Sequence, residues 1–446
     1  MKYVFPKGMY VDVRIEHTFS TEITYTMKDL DECKERQYSA AFIRLFDGGR
    51  WYYACTSDLE AIQSEVDALE KLADKNENLE EMEIFKRFSK EKGKKLEFTG
   101  KEVFNIPLQE KIDLLLSLMP FVENNAYIKL FRLTYLDENK VKEFYNSNGA
   151  ELQWDFQRTG FSVNLKMSEG ERQAQESFHY GETTFDQIKG YEEKLTALIA
   201  ECEKCLLESE AVEPGVYTVV TAPAVTGVFV HECFGHKSES DLMIGDEATR
   251  KEWALGKVIG PEDLTIVEAG LEPGNGYTPY DDEGNHATET YLIKNGVLTG
   301  RLHNAASAAD LGEEVTGNAR AMNFEFEPIV RMTTTYIDNG GKTFEQLISG
   351  TEKGIYVKGI VHGSGMSTFT LAPSRAYYIK DGEIGAPVRV SVISGNVFEA
   401  LSNVDGIAND RKMDAFVTGG CGKMDQYPLS VGFGGPHIRI RNMQVQ

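Results

Sequence analysis

The chain has 446 residues, enough for two domains or three small ones, and its 41% hydrophobic and 26% charged residues make a globular composition that can bury a sizeable core. A formal net charge of −23 argues against a nucleic-acid partner: phosphate binding needs a basic surface, and the one dense basic run, "KRFSKEKGKK" (Lys86–Lys95), follows the acidic "ENLEEMEIF". No segment approaches the ~18 apolar residues that span a bilayer, the N-terminal "MKYVFPKGMYVDVRIEH" lacks the apolar run of a signal peptide, and the six cysteines form no dense framework, so a cytoplasmic protein with no membrane partner is expected.

In chain order, "MYVDVRIEH" sets Val11, Val13 and Ile15 on one face and Asp12, Arg14 and Glu16 on the other, the period of a half-buried strand. "SAAFIRLFDGGRWYYACTS" reads as two strands around the turn Asp47-Gly48-Gly49. A helix follows, capped by Ser57, with Leu59, Ile62, Val66, Leu69 and Leu72 at helical spacing. "IPLQEKIDLLLSLMPFVE" predicts a second helix that ends near Pro120. Strands return in "AYIKLFRLTYL", "KEFYNSNGAELQWDF" and "GFSVNLKMS", before the helix "TFDQIKGYEEKLTALIAECEKCLLES". Within that helix Leu195, Leu198, Ile199, Cys202, Cys205 and Leu206 form one stripe, so the C-x-x-C pair is read as packing and not as a metal or redox site.

The punctuation of "ESEAVEPGVY" (Glu208–Tyr217) marks a boundary. Beyond it glycine is frequent and short strands dominate, among them "YLIKNGVLTGRLH", "PIVRMTTTYID", "RAYYIKDGEIGAPVRVSVIS" and "PHIRIRN", the pattern of an antiparallel sheet, sandwich or barrel. The expected class is α+β: a mixed α/β N-terminal domain over residues 1–210 and a β-rich domain over 211–446.

The chemistry concentrates in "HECFGHKSESD" (His231–Asp241). Two histidines bracketing a glutamate suggest a zinc hydrolase, but His231 and His236 are five apart, not the four that puts both on one helical face; on a regular α-helix they point ~140° apart. The backbone must therefore distort or end between them, and Gly235 supplies the freedom, as a π-type bulge or a helix terminus. Glu232 can stand beside the metal without ligating it and take a proton from the water that the ion activates. Zinc needs a third protein ligand and an open position. Cys421, in the glycine-rich "VTGGCGKMDQ", offers a thiolate, with Gly419, Gly420 and Gly422 letting backbone approach the ion; Cys233 is the second choice.

"HECFGHKSESD" resembles the H-E-x-x-x-H segment of the TldD/PmbA metallopeptidases, in the TldD-like, metal-bearing branch historically labelled a modulator of DNA gyrase. "GGRWYYACTSDL", "GNARAMNFEFEPIVRMTTTYIDNG", "YIKDGEI" with "ISGN", and "CGKMDQYPLSVGFGGPHIRI" match that family in the same order, over nearly the whole chain. The resemblance implies zinc held by His231, His236 and Cys421, with Glu232 as the acid/base. It also implies an N-terminal α+β domain followed by an antiparallel, barrel-like domain, and a homodimer or a heterodimer with a PmbA-like paralogue. The implied substrates are small or unfolded peptides reached in an enclosed site.

Glu239 and Asp241, just past the second histidine, either orient the ligand imidazoles or belong to an acidic, solvated turn. His362, in a glycine-rich turn, either binds substrate or a transition-state oxyanion or is a surface histidine, the last being the preferred reading. Asp281, Asp282, Glu283 and His286 suit calcium or magnesium by type but not by spacing, and read as a turn lining the cleft. His17, His179, His303 and His437 receive no role. The expectation is a zinc-dependent peptidase. The alternatives are a metal-dependent amidase of a small molecule and a non-catalytic peptide-binding subunit with a structural metal.

Overall fold

The computed structural model describes residues 2–446. Its first half is built on one seven-stranded sheet. The elements are β1 (Tyr10–Thr26), β2 (Asp29–Phe46), β3 (Trp51–Thr56), α1 (Ile62–Glu70), β4 (Lys92–Lys95), α2 (Leu108–Glu123), β5 (Ile128–Asn146), β6 (Glu151–Glu169), β7 (Arg172–Glu182) and α3 (Glu192–Glu208). The sheet runs β3-β2-β1-β5-β6, and β6 carries β4 in parallel at its start and β7 antiparallel along its end. The strands are longer than the sequence pattern suggests: β1 pairs with β2 from Tyr10 through Thr26, with a turn at Met27 in the left-handed region.

Local differences have local causes. The cap before α1 is Asp58, whose side chain accepts from Glu60 N–H, and Ser57 stands outside it. Pro120 does not end α2, which runs on to Glu123; the proline costs a hydrogen bond to Leu116, whose side chain is on the exposed side of the helix. In α3, Cys202 and Cys205 face the core, as the stripe predicts, and burial pushes both thiols up.

The largest correction concerns β1. Val11, Val13 and Ile15 are buried, but so are Asp12, Arg14 and Glu16 on the face expected to meet solvent. The second half of the molecule covers that face. Arg14 donates to the carbonyls of Asn323 (2.8 Å) and Phe326 (3.1 Å), and Arg44 joins Asp12 (2.6 Å) to Glu283 (3.1 Å). Lys142 binds Asp282 at 2.5 Å, with Arg14 3.8 Å from the same oxygen. Burial opposes charge on Asp282, yet Lys142 and Arg14 hold its carboxyl well below the usual range. Asp281 accepts from the backbone of Glu283, Asn285 and Ala319. The acidic turn is thus built into the buried seam between the two halves, its carboxylates taken up by Lys142, Arg14, Arg44 and backbone N–H groups, and it stands apart from the cavity at the histidine cluster.

The second half centres on a closed ring of five strands: β8 (Gly215–Thr221), β9 (Lys353–Gly365), β10 (Thr368–Lys380), β11 (Ile393–Asn396) and β12 (Ile438–Val445). Its hydrogen bonds run β9-β8-β12-β11-β10 and back to β9. One pairing, β8 with β9, is parallel, because the two strands are separated by a long excursion that crosses the molecule; the other four are antiparallel. That excursion and the C-terminal region build a six-stranded sheet beside the barrel. One hydrophobic cluster runs from Cys205 to Val445 through both. No helix among the described residues is long and apolar enough to cross a membrane.

Candidate metal centre

Strand β8 hands the chain to α4 (Pro223–Phe229), which begins with proline at its first position, where the missing N–H costs nothing. The helix then widens. Val230–Gly235 is a π-helical turn, and the N–H of His236 bonds to the carbonyl of His231, five residues back. An i→i+5 turn stacks residues five apart, which is the distortion that the histidine spacing requires. The two imidazoles meet with ring centroids 5.2 Å apart.

Gly235 serves this turn differently from the expectation. Its φ of −57° and ψ of −52° are ordinary helical values, so no special backbone freedom is used. What the position lacks is room: a Cβ there would lie 2.1 Å from Sδ of Met332.

Cys421 opens the short hairpin Cys421–Lys423 and Gln426–Leu429. Arg331 holds its carbonyl through Nη2 at 2.8 Å, and a Cβ on the preceding Gly420 would strike the Leu429 carbonyl oxygen at 2.6 Å, so that glycine fits the hairpin itself. Sγ of Cys421 lies 3.4 Å from Nε2 of His236, and one ligand atom from each of His231, His236 and Cys421 falls within 4.8 Å of the others. Zinc bonds of ~2.0–2.3 Å in a tetrahedron set neighbouring N and S donors roughly 3.3–3.7 Å apart, so the donor set and its spacing fit such an ion. Nδ1 of His231 is buried with no hydrogen-bond partner, a donor atom left for a ligand. Cys233 is buried outside the cluster, its thiol pushed up by burial.

Electrostatics suit a cation. Burial resists charge on Cys421, but His231 and then His236 hold its thiol well below the ordinary value. Burial likewise resists charge on His236, which Cys421 and Glu239 lift to about 10. A dication entering the cluster would replace that proton.

Glu239 and Asp241 separate. Oε2 of Glu239 lies 3.3 Å from Nδ1 of His236, the contact that orients a ligand imidazole and leaves Nε2 for the metal. Asp241 reaches no histidine. It accepts from Lys423 Nζ (2.7 and 2.8 Å) and from Val330 N–H. Lys423 also sits 3.1 Å from Glu239 and donates to the Val330 carbonyl at 2.9 Å. This buried lysine was not singled out in the sequence. The available signal was its position two residues after Cys421, hence on the same side of a strand.

The cluster opens on a cavity of about 320 Å³ lined by His231, Glu232 and Cys421, by Lys358 to Gly363 of β9, by Gln175 to Ser177 and His179 of β7, and by apolar groups such as Val228, Phe416 and Phe433. His362 is on this wall, within a strand and not in a turn. His179, given no role from sequence, faces the same space, with Nε2 3.0 Å from Asp414.

The chain matches the PmbA/TldA metallopeptidase C-terminal domain over residues 214–446, domain 1 of that family over 11–77 and its central domain over 101–201. It belongs to the PmbA/TldD metallopeptidase family. Among its relatives, a metalloprotease of Synechocystis is 31% identical across 98% of this chain and 94% of its own length. A protein of Saccharolobus solfataricus named zinc metalloprotease TldD homolog is 28% identical, covering 98% of this chain and 96% of that one. Two solved structures share the fold: a proposed DNA gyrase modulator of Thermotoga maritima (TM-score 0.78, 20% identity, 98% and 96% covered) and TldE of Thermococcus kodakarensis (TM-score 0.78, 17% identity, 98% and 96% covered).

Proposed function

We propose that the protein is a zinc-dependent peptidase acting on small or unfolded peptides, with Glu232 as its general base. The observation that carries this is the convergence of two imidazoles and a thiol within 4.8 Å, on the wall of a cavity that Glu232 also lines. A structural metal site needs neither the cavity nor the acid. His231, His236 and Cys421 would hold the ion, and Glu239 fixes the His236 ring. Zinc, when bound, supplies a Lewis acid that polarises a peptide carbonyl and lowers the pKa of water at its open position. Glu232 takes a proton from the attacking water as its oxygen bonds to the carbonyl carbon, and returns it to the amine nitrogen as the C–N bond breaks.

The extended form of the substrate is supported by two unpaired strand margins. Pairing of β8 with β9 stops at Val357, so Lys358 to Gly363 present a free edge to the cavity, and β7 pairs only with β6. A peptide lying there would add a strand and be read mainly through its backbone. Equal cleavage rates for folded and denatured forms of one protein would contradict this mode.

The test of the function is Glu232→Gln. It should keep zinc at the stoichiometry of the unaltered protein and abolish turnover of an unfolded peptide, while His231→Ala loses the zinc. Turnover that survives Glu232→Gln removes the assignment. The protein is further proposed to work as a dimer, with itself or with a PmbA-like paralogue, which sedimentation of the purified protein checks.

A further inference from the structure

A second cavity, of about 60 Å³, lies in the seam between the two halves. Strand alternation lays out its floor. Glu138, Lys140 and Lys142 of β5 stand directly opposite Arg158, Phe156 and Trp154 of β6, and all six line the space. The second half closes it with Tyr277, Asp282, Arg320 and Ser430 among others. Four cationic side chains therefore meet two carboxylates, Glu138 and Asp282, in a chain whose net charge is −23.

The pairing of these cations is incomplete. Lys142 is taken by Asp282 at 2.5 Å. Lys140, however, stands 3.4 Å from Glu16 and 3.8 Å from Glu138, and Nη2 of Arg158 stands 3.7 Å from Glu138. All three separations exceed the ~2.7–3.2 Å of a direct N–H···O bond. Arg320 has no carboxylate partner among the described residues and donates to the carbonyls of Met332 and Ser430. Burial pulls its guanidinium down to about 10. Nε of Arg158 and the hydroxyl of Tyr277 are buried with no hydrogen-bond partner. A buried guanidinium without a counter-ion is costly, and buried donors left unfilled around a space call for an acceptor within it. One water needs ~10–15 Å³ of such space, so the cavity holds roughly four waters or one compact anion.

We infer that this cavity binds a compact oxyanion, a phosphate or the carboxylate of a small acid, held by Lys140, Arg158, Arg320 and Tyr277. The anion would touch both halves and so tie them together, while Glu138 and Asp282 oppose it and limit its affinity. The site is separate from the peptidase reading: it shares no lining residue with the cavity at the histidine cluster.

The test is unfolding of the full chain by heat while phosphate or acetate replaces chloride at constant ionic strength, with calorimetry to give the affinity. The midpoint should climb with the oxyanion, as it does for a ligand that binds only the folded state. A response to phosphate alone assigns the site to phosphates, and a response to acetate assigns it to carboxylates. Tyr277→Phe removes a hydroxyl that has no partner, so it should fold as the unaltered protein does and weaken anion binding ~2- to 10-fold. Lys140→Gln should weaken it roughly 10- to 100-fold, as loss of a charged hydrogen bond does, and Glu138→Gln should strengthen it. The inference is overturned by midpoints in both salts that match chloride, or by affinity unchanged in Tyr277→Phe or Lys140→Gln. Binding that disappears in His231→Ala would place the anion at the histidine cluster and overturn it equally.

Discussion

Replacing Gly235 by alanine tests how the π-helical turn is held. The new Cβ would lie 2.1 Å from Sδ and 3.2 Å from Cε of Met332, a side chain with no solvent exposure. Comfortable contact needs about 3.5–4.0 Å, so the turn and the methionine must separate by more than 1 Å. Overpacking of this kind costs ~1–3 kcal/mol, and the flexible Met chain favours the lower part of that range. Against it stands the ~1 kcal/mol by which alanine is favoured over glycine at a helical position, largely through the unfolded chain. Overall stability should therefore change little. Metal binding compares two folded states, so the unfolded-chain gain cancels and the strain does not. Without an ion the turn can relax and carry His236 with it, whereas ligation holds donor distances to within about 0.2 Å. Zinc affinity, measured by competition with a chromophoric chelator, should fall ~5- to 30-fold, the equivalent of about 1–2 kcal/mol. Adding Met332→Ala should restore it to the value of Met332→Ala alone. A Gly235→Ala protein that binds zinc within twofold of the unaltered protein would refute the reasoning.

Four further outcomes are expected. Lys423→Met leaves Glu239 and Asp241 buried without their cation and should cost about 3–5 kcal/mol of stability in denaturant unfolding, part of it recovered by adding Asp241→Asn; Glu239→Gln should instead act on the centre, weakening zinc binding ~10- to 100-fold. The His179–Asp414 pair makes stability pH-dependent: burial opposes the charge, but Asp414 raises the pKa of His179 above its ordinary value, so its contribution is fully present below about pH 6.5 and is lost as pH rises through the raised value. The stability difference between the unaltered protein and His179→Gln should accordingly shrink above that pH, and a difference that grows would contradict the assignment. Asp282→Asn takes from Lys142 its nearest carboxylate and leaves Glu16 to serve both Lys142 and Arg14, and should destabilise by less than the ~3–5 kcal/mol of a fully unpaired buried charge, read from the denaturant midpoint.

Much of this architecture is legible in the sequence because local periodicity reports it. The β1 alternation, the Asp47-Gly48-Gly49 turn and the stripe of α3 all depend on neighbours within a few residues. The five-residue histidine spacing was informative for the same reason, since it demanded a distortion that the backbone then supplies. Other features depend on partners far along the chain. Asp12, Arg14 and Glu16 resemble a solvated face because what covers them lies far along the chain: Arg14 reaches Asp282 and the Asn323 and Phe326 carbonyls, the last 312 residues away, and Arg44, which binds Asp12, reaches Glu283 across 239. Glu239 and Asp241 both meet Lys423, and only Glu239 also reaches His236, a difference that no spacing displays. His179 reaches Asp414 across 235 residues, and a lone histidine on a strand carries no mark of it. Gly235 was read as freedom and proved to be space, because the side chain that fills that space, Met332, comes from a distant segment of the chain.

The imidazole pair and the thiol are separated by 185 residues of chain. During synthesis His231 and His236 leave the ribosome long before Cys421 does, and the barrel strand β12, which zips to β8, emerges after all three. A half-made chain therefore offers any ion two donors in place of three and no finished chamber around them. The proposed centre is therefore whole only once the barrel has closed, and any activity it confers is withheld from the growing chain.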